Sequence, residues 1–91
     1  MNTLNTLREV ELKDCVRNGA VKRLNIVQGG SGKYRVVVNL TWKEGDLNLV
    51  TTRKTIREWA SLDNLARLIQ TKYGIPPLIT LSLQQEETTN V

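Results

Sequence analysis

From Gly19 to Trp42 apolar and polar residues alternate with a period of two, and after Ser61 apolar residues recur at helical spacing. The clearest strand runs from Tyr34 to Trp42. Tyr34, Val36, Val38, Leu40 and Trp42 share one face, while Arg35, Val37, Asn39, Thr41 and Lys43 share the other. Before it, Leu24 and Ile26 alternate with Arg23, Asn25 and Val27, and Gly29-Gly30-Ser31-Gly32 turns the chain between the two strands. Glu44-Gly45 marks the next turn. A tight hairpin there pairs Trp42 with Leu47, Leu40 with Leu49 and Val38 with Thr51, which keeps the large apolar side chains on one face. The third strand runs on through Arg53 and Lys54 towards Trp59. Regular alternation would leave Ile56 exposed between cations. A bulge or strand end near Thr55 is therefore expected, turning Ile56 inward and setting Arg53, Lys54 and Arg57 along one rim.

Two helices complete the pattern. Thr6 reads as an N-cap with Glu9 three residues on, opening a helix from Leu7 to Arg17 that presents Leu12, Cys15 and Val16 and stops at Asn18-Gly19. Alternation over Glu9 to Lys13 also permits a strand, and a start near Thr3 would add Leu4 and Leu7 to the stripe. Ser61 caps the stronger helix, in which Leu65, Ala66, Ile69 and Tyr73 follow Leu62 at offsets of three, four, seven and eleven. Gly74 ends it and Pro76-Pro77 forbids its continuation. Ile79, Leu81 and Leu83 then alternate with Thr80 and Ser82 as an edge strand. The expected architecture is one α+β domain over residues 1–83, in the order α-β-β-β-α-β. Its single antiparallel sheet of three to four strands carries both helices on one face, and a polar, disordered tail occupies 84–91.

Ninety-one residues with one cysteine leave no room for an intramolecular disulfide. Neither a leader pattern nor an apolar run of about 18 residues occurs, so a soluble cytoplasmic protein without membrane contact is expected. The absence of His excludes Ser-His and Cys-His nucleophile pairs and the usual imidazole metal ligands. Gly29 to Lys33 fails as a phosphate loop, since Val27 stands where the first Gly is needed and Tyr34 where Ser or Thr is needed. Cys15 lies on the apolar face of its helix and reads as a buried structural thiol. Glu44 and Asp46 flank a turn and read as solvated. No catalytic residue, metal ligand or cofactor is expected, and the protein is read as a non-enzyme.

Charge sharpens the picture. Thirteen Lys and Arg against nine Asp and Glu give a net charge of +4, and the pI is near 9.6. From Arg17 to Arg57 nine of those cations face only Glu44 and Asp46. The polar side of the sheet would collect Arg23, Asn25, Arg35, Asn39 and Lys43, with Arg53, Lys54 and Arg57 beside it. Arg, Lys and Asn reach base edges and phosphates, and a sheet surface fits the DNA major groove, so these eight are the candidate nucleic-acid contacts. A solvated outer face accounts for the same alternation. So does a protein interaction surface or homodimer, since Val27, Val37 and Val50 punctuate that side. Single-stranded RNA fits less well, because Tyr34, Trp42 and Tyr73 fall on core-facing positions and Trp59 reads as a lid on the core.

The run Val16-Arg17-Asn18-Gly19-Ala20-Val21, the central hairpin, the segment from Thr52 to Trp59, and Ser61-Leu62-Asp63-Asn64-Leu65-Ala66-Arg67-Leu68-Ile69 with Gly74 carry a family likeness. Together they resemble small ParC-type partition-associated proteins of bacterial plasmids. In that family an Arg-x-Arg-x-aromatic segment precedes a Ser-Leu-Asp helix and a final short strand. Here Arg53-Lys54-Thr55-Ile56-Arg57 takes the place of a tighter Arg-x-x-Arg pattern. The resemblance implies an accessory protein of a plasmid or mobile element, acting in partition or regulation and binding DNA or a DNA-bound partner.

Overall fold

In a computed structural model, which describes residues 5–83, the chain forms six strands and two helices. They are β1 (Thr6–Arg8), α1 (Glu9–Arg17), β2 (Val21–Gln28), β3 (Tyr34–Leu40), β4 (Leu47–Val50), β5 (Glu58–Trp59), α2 (Leu62–Leu68) and β6 (Ile79–Ser82). The last turn of α2 widens into a π-helical segment, Ile69–Tyr73. Strand order across the sheet is β1-β4-β3-β2-β6, with β5 paired to β3.

The α+β class is as expected, but the sheet is mixed and not antiparallel. β1 runs parallel to β4 and β6 parallel to β2, whereas β3 is antiparallel to β2, β4 and β5. It follows that β3 alone runs against the other strands. The reason lies in how each helix is flanked. α1 connects β1 to β2 and α2 connects β5 to β6, and a helix that crosses one face of a sheet returns the chain in the direction it left. The fold is thus two βαβ crossovers sharing one reversed strand.

β1 also displaces the expected start of α1. Thr6 pairs with Asn48 and does not cap; the helix opens at Glu9, where the Arg8 backbone N–H donates to Glu11 Oε1 at 2.8 Å. Its end is as read from the sequence, with Asn18 at the cap and Gly19 in the left-handed region at φ 69°. Ser61 caps α2, its Oγ accepting from the Asn64 N–H at 3.3 Å.

One hydrophobic cluster lies between sheet and helices. Val21, Leu24, Ile26, Val36, Val38, Leu40, Leu47 and Leu49 supply its sheet side, and Leu12, Leu65, Ile69 and Tyr73 its helix side. Cys15 and Val16 pack against it. Both helices therefore lie on the apolar face, and the other face is open.

The third strand departs most from expectation. Val38 pairs with Leu47 instead of Thr51, a shift of four residues that lengthens the connection to residues 41–46. An even shift keeps Leu47 and Leu49 on the core face, so alternation cannot tell the two registers apart. The shift ends β3 at Leu40 and leaves Trp42 68% exposed, against the core-facing place that alternation assigns it. Downstream, β4 and β5 share one edge of β3, separated by a turn over Thr51–Thr55 in which the Thr51 N–H donates to Thr55 O at 2.8 Å. This is the expected strand interruption, yet Ile56 remains 43% exposed and does not turn inward. The polar tail expected from Gln84 to Val91 lies outside the described residues.

Candidate nucleic-acid interface

Register places Arg23, Asn25 and Val27 of β2, Arg35, Val37 and Asn39 of β3, Asn48 and Val50 of β4, and Thr80 and Ser82 of β6 on the open face. Its two β2–β3 asparagines are held within the fold. Asn39 accepts from Arg23 Nε at 3.0 Å and donates through Nδ2 to Asp46 Oδ1 at 2.7 Å and Gly45 O at 3.1 Å. Both amide hydrogens are thereby used, leaving no donor for a base edge. Asn25 Oδ1 accepts from Thr80 Oγ1 at 2.7 Å and Ser82 Oγ at 3.3 Å, which ties the edge strand to β2. Val37 and Val50 are 7% and 1% exposed. They offer little apolar surface for a partner.

The cations divide into three groups. Arg57 is structural: its Nε donates to Glu9 Oε2 at 3.3 Å and its guanidinium lies 5.0 Å from the Trp59 ring centre. The Tyr73 hydroxyl donates to the same Glu9 oxygen. Burial first, and then the neighbouring carboxylate, push the Tyr73 phenol above its ordinary value. Arg57 thereby helps lock β5 and α2 onto α1. Cys15 is likewise shifted upward by burial and by Glu11 and Asp14, which suits an inert thiol.

A second group lies towards the Tyr34 end of β3. Arg35 stands opposite Glu58 in the ladder without an ion pair. Arg53 and Lys54 are exposed on the Thr51–Thr55 turn, which Thr51 Oγ1 organises by accepting from the Arg53 and Thr55 N–H groups at 3.2 and 3.3 Å. Lys54 sits in the left-handed region at φ 66°.

The third group surrounds an open groove of about 780 Å3 at the other end of β3. Lys22, Arg23 and Lys43 line it together with Trp42, and Glu44 is the only acid on its wall among the described residues. Lys22 is placed there by a register break in β2, between Val21 and Arg23. The loop that carries Trp42 is anchored at both ends. The Thr41 N–H donates to Ala20 O at 2.9 Å, and Asn39 holds Gly45 and Asp46. Asn39 thus positions the groove wall and does not read a ligand itself.

Of the eight residues expected to touch nucleic acid, Arg23, Asn39 and Lys43 meet at this groove. Arg35 lies at the opposite end of β3, Arg53 and Lys54 are exposed on the Thr51–Thr55 turn, and Arg57 and Asn25 are engaged internally. Sequence reasoning missed Lys22 and Trp42. A signal was available for Trp42: the run Thr41-Trp42-Lys43-Glu44-Gly45-Asp46 is polar apart from the indole, as a loop would be. Among the described residues no cluster of His, Cys, Asp or Glu gathers to hold a metal ion, and no helix is long and apolar enough to cross a membrane.

The chain matches no protein-family model, no curated protein and no solved structure.

Proposed function

We infer that this chain is a non-enzymatic DNA-binding accessory protein of a plasmid or mobile element, acting in partition or regulation. The observation that carries the reading is the number of cations around the open face that form no ion pair. The ion pairs among the described residues, Arg8–Glu11, Arg17–Asp14 and Arg57–Glu9, draw every acid of β1–α1 into internal contacts. Lys22, Arg35, Lys43, Arg53 and Lys54 are left without an acidic partner around the open face. Cations arranged this way suit a phosphate backbone, and the commitment of both Asn39 amide hydrogens within the fold takes one candidate base reader away. The likeness to ParC-type proteins supplies the plasmid setting.

Binding to DNA should weaken steeply between about 50 and 200 mM salt. Arg35→Gln and Lys43→Gln should each flatten the log-log salt slope by roughly 0.7 to 0.9 for every phosphate that the removed cation neutralised. Arg57→Gln should lower stability without changing that slope. Undetectable binding at low salt, or binding that ignores salt, would refute the reading.

One feature favours a second reading, self-association. β6 is an uncharged edge strand with Ile79 and Leu81 exposed by 38 and 45%, and Leu83 just beyond it is 62% exposed. Edges of that kind invite pairing with another strand. A concentration-dependent dimer in sedimentation, abolished by Leu81→Glu, would support it.

A further inference from the structure

We propose that the groove beside Trp42 binds single-stranded DNA, with an unpaired base stacked on the indole and the flanking phosphates held by Lys22, Arg23 and Lys43. The proposal rests on the nucleic-acid reading above and narrows it to one strand form and one site.

Trp42 is the most exposed of the large hydrophobic side chains among the described residues, at 68%, whereas Trp59 is 7% exposed. A solvent-facing indole presents a free aromatic face with an N–H at its edge. Its surroundings define the chemistry. Lys22, Arg23 and Lys43 share the groove with it, against Glu44 on the wall and Asp46 held behind Asn39. A flat aromatic surface set among cations matches the alternation of base and phosphate along a single strand. A duplex keeps its bases stacked on one another and offers Trp42 no free ring face.

The groove volume, about 780 Å3, lies within the range of roughly 300–1,000 Å3 typical of clefts that accept small organic groups. The loop is also pre-ordered. Arg23 holds Asn39, and Asn39 holds Gly45 and Asp46 at 3.1 and 2.7 Å, so little ordering remains to be done when a base arrives. Asn39 has no donor left, and stacking accepts any base, so the site is expected to tolerate sequence.

The test measures fluorescence anisotropy of a labelled short oligothymidylate and of a labelled duplex at low salt. Trp42→Ala should weaken single-strand binding roughly 5- to 150-fold, the equivalent of about 1–3 kcal/mol of stacking per base, and leave duplex binding unchanged. Trp42→Tyr should retain most of the affinity. In a Trp59→Phe background Trp42 is the sole tryptophan, and its emission should be quenched as the oligonucleotide is added. Oligothymidylate binding within twofold of the parent after Trp42→Ala would overturn the site while leaving DNA binding intact. Quenching by polyglutamate but not by oligothymidylate would overturn it in favour of an acidic protein partner. Absence of binding to both strand forms at low salt would overturn the site together with the broader nucleic-acid reading.

Discussion

Replacing Gly74 with alanine should be among the most damaging single-methyl changes in this protein, and its cost has two separable sources. Gly74 follows the π-helical end of α2 with φ 97° and ψ 155°, a region that essentially only glycine occupies. Forcing an L side chain there costs about 1–3 kcal/mol. The added methyl carbon would also lie 2.8 Å from Val16 Cγ1, well inside contact distance, and such overpacking costs about 1–3 kcal/mol more. A loss of about 2 to 6 kcal/mol is expected against a total stability of about 5–15 kcal/mol for small domains. Urea unfolding followed by circular dichroism reads it directly. With a slope of about 1–3 kcal/mol per molar urea, the midpoint should fall by roughly 1 M or more. Val16→Ala separates the two sources. It removes Cγ1 but keeps Val16 Cβ, whose 3.6 Å distance is ordinary contact. The double variant should therefore recover about 1–3 kcal/mol relative to additivity and retain the backbone cost. A Gly74→Ala protein within about 0.5 kcal/mol of the parent would refute the backbone assignment. Strict additivity with Val16→Ala would refute the clash.

Tyr73 and Lys54 offer two further tests. Because the folded Tyr73 phenol titrates above its ordinary value near 10, it contributes stability that is present below about pH 10 and is lost as the pH rises further. Tyr73→Phe should flatten the decline above pH 10 in urea midpoints, and an unchanged slope would show that the hydroxyl is not held by Glu9. At the Thr51–Thr55 turn, Lys54→Gly should relieve the left-handed strain and raise stability by up to about 1 kcal/mol while weakening DNA binding. A destabilised Lys54→Gly protein in the same urea assay would show that the turn does not hold that conformation.

Much of the core was legible in the sequence because it depends only on parity and helical spacing. Leu24, Ile26, Val36, Val38, Leu40, Leu65, Ile69 and Tyr73 are buried as their periods require. The strand directions were not legible. β1 has three residues and β5 has two, too few to establish a period, and without them each helix looks like an appendage and not a crossover. The register of β4 was hidden for a different reason: Leu47 and Leu49 satisfy the core equally well at either of two even offsets, and only tertiary packing selects between them. At the candidate interface the basic character could be read from composition, but the partners could not. Nothing in the spacing of Glu9 and Arg57 announces an ion pair across 48 residues.

The same four-residue shift that defeated the expected register creates the groove. Had Lys43 paired with Asp46 in a tight hairpin, Trp42 would have faced the core and Asn39 would have stood free on the sheet. Ending β3 at Leu40 instead releases residues 41–46 as a loop, exposes the indole, and draws Asn39 into holding Gly45 and Asp46. That arrangement removes a large apolar ring from the core, which lowers the gain from burial. Val37 and Val50, by contrast, are already covered within the chain, so the open face has little apolar surface to hide. The most exposed stacking surface is thus at one end of β3, beside Lys22, Arg23 and Lys43, whereas at the opposite end, which carries Arg35, the aromatic ring of Tyr34 is half-buried against the core. If a strand binds here, the Trp42 end should set affinity for unpaired bases, while the Arg35 end should contribute a charge attraction that salt removes.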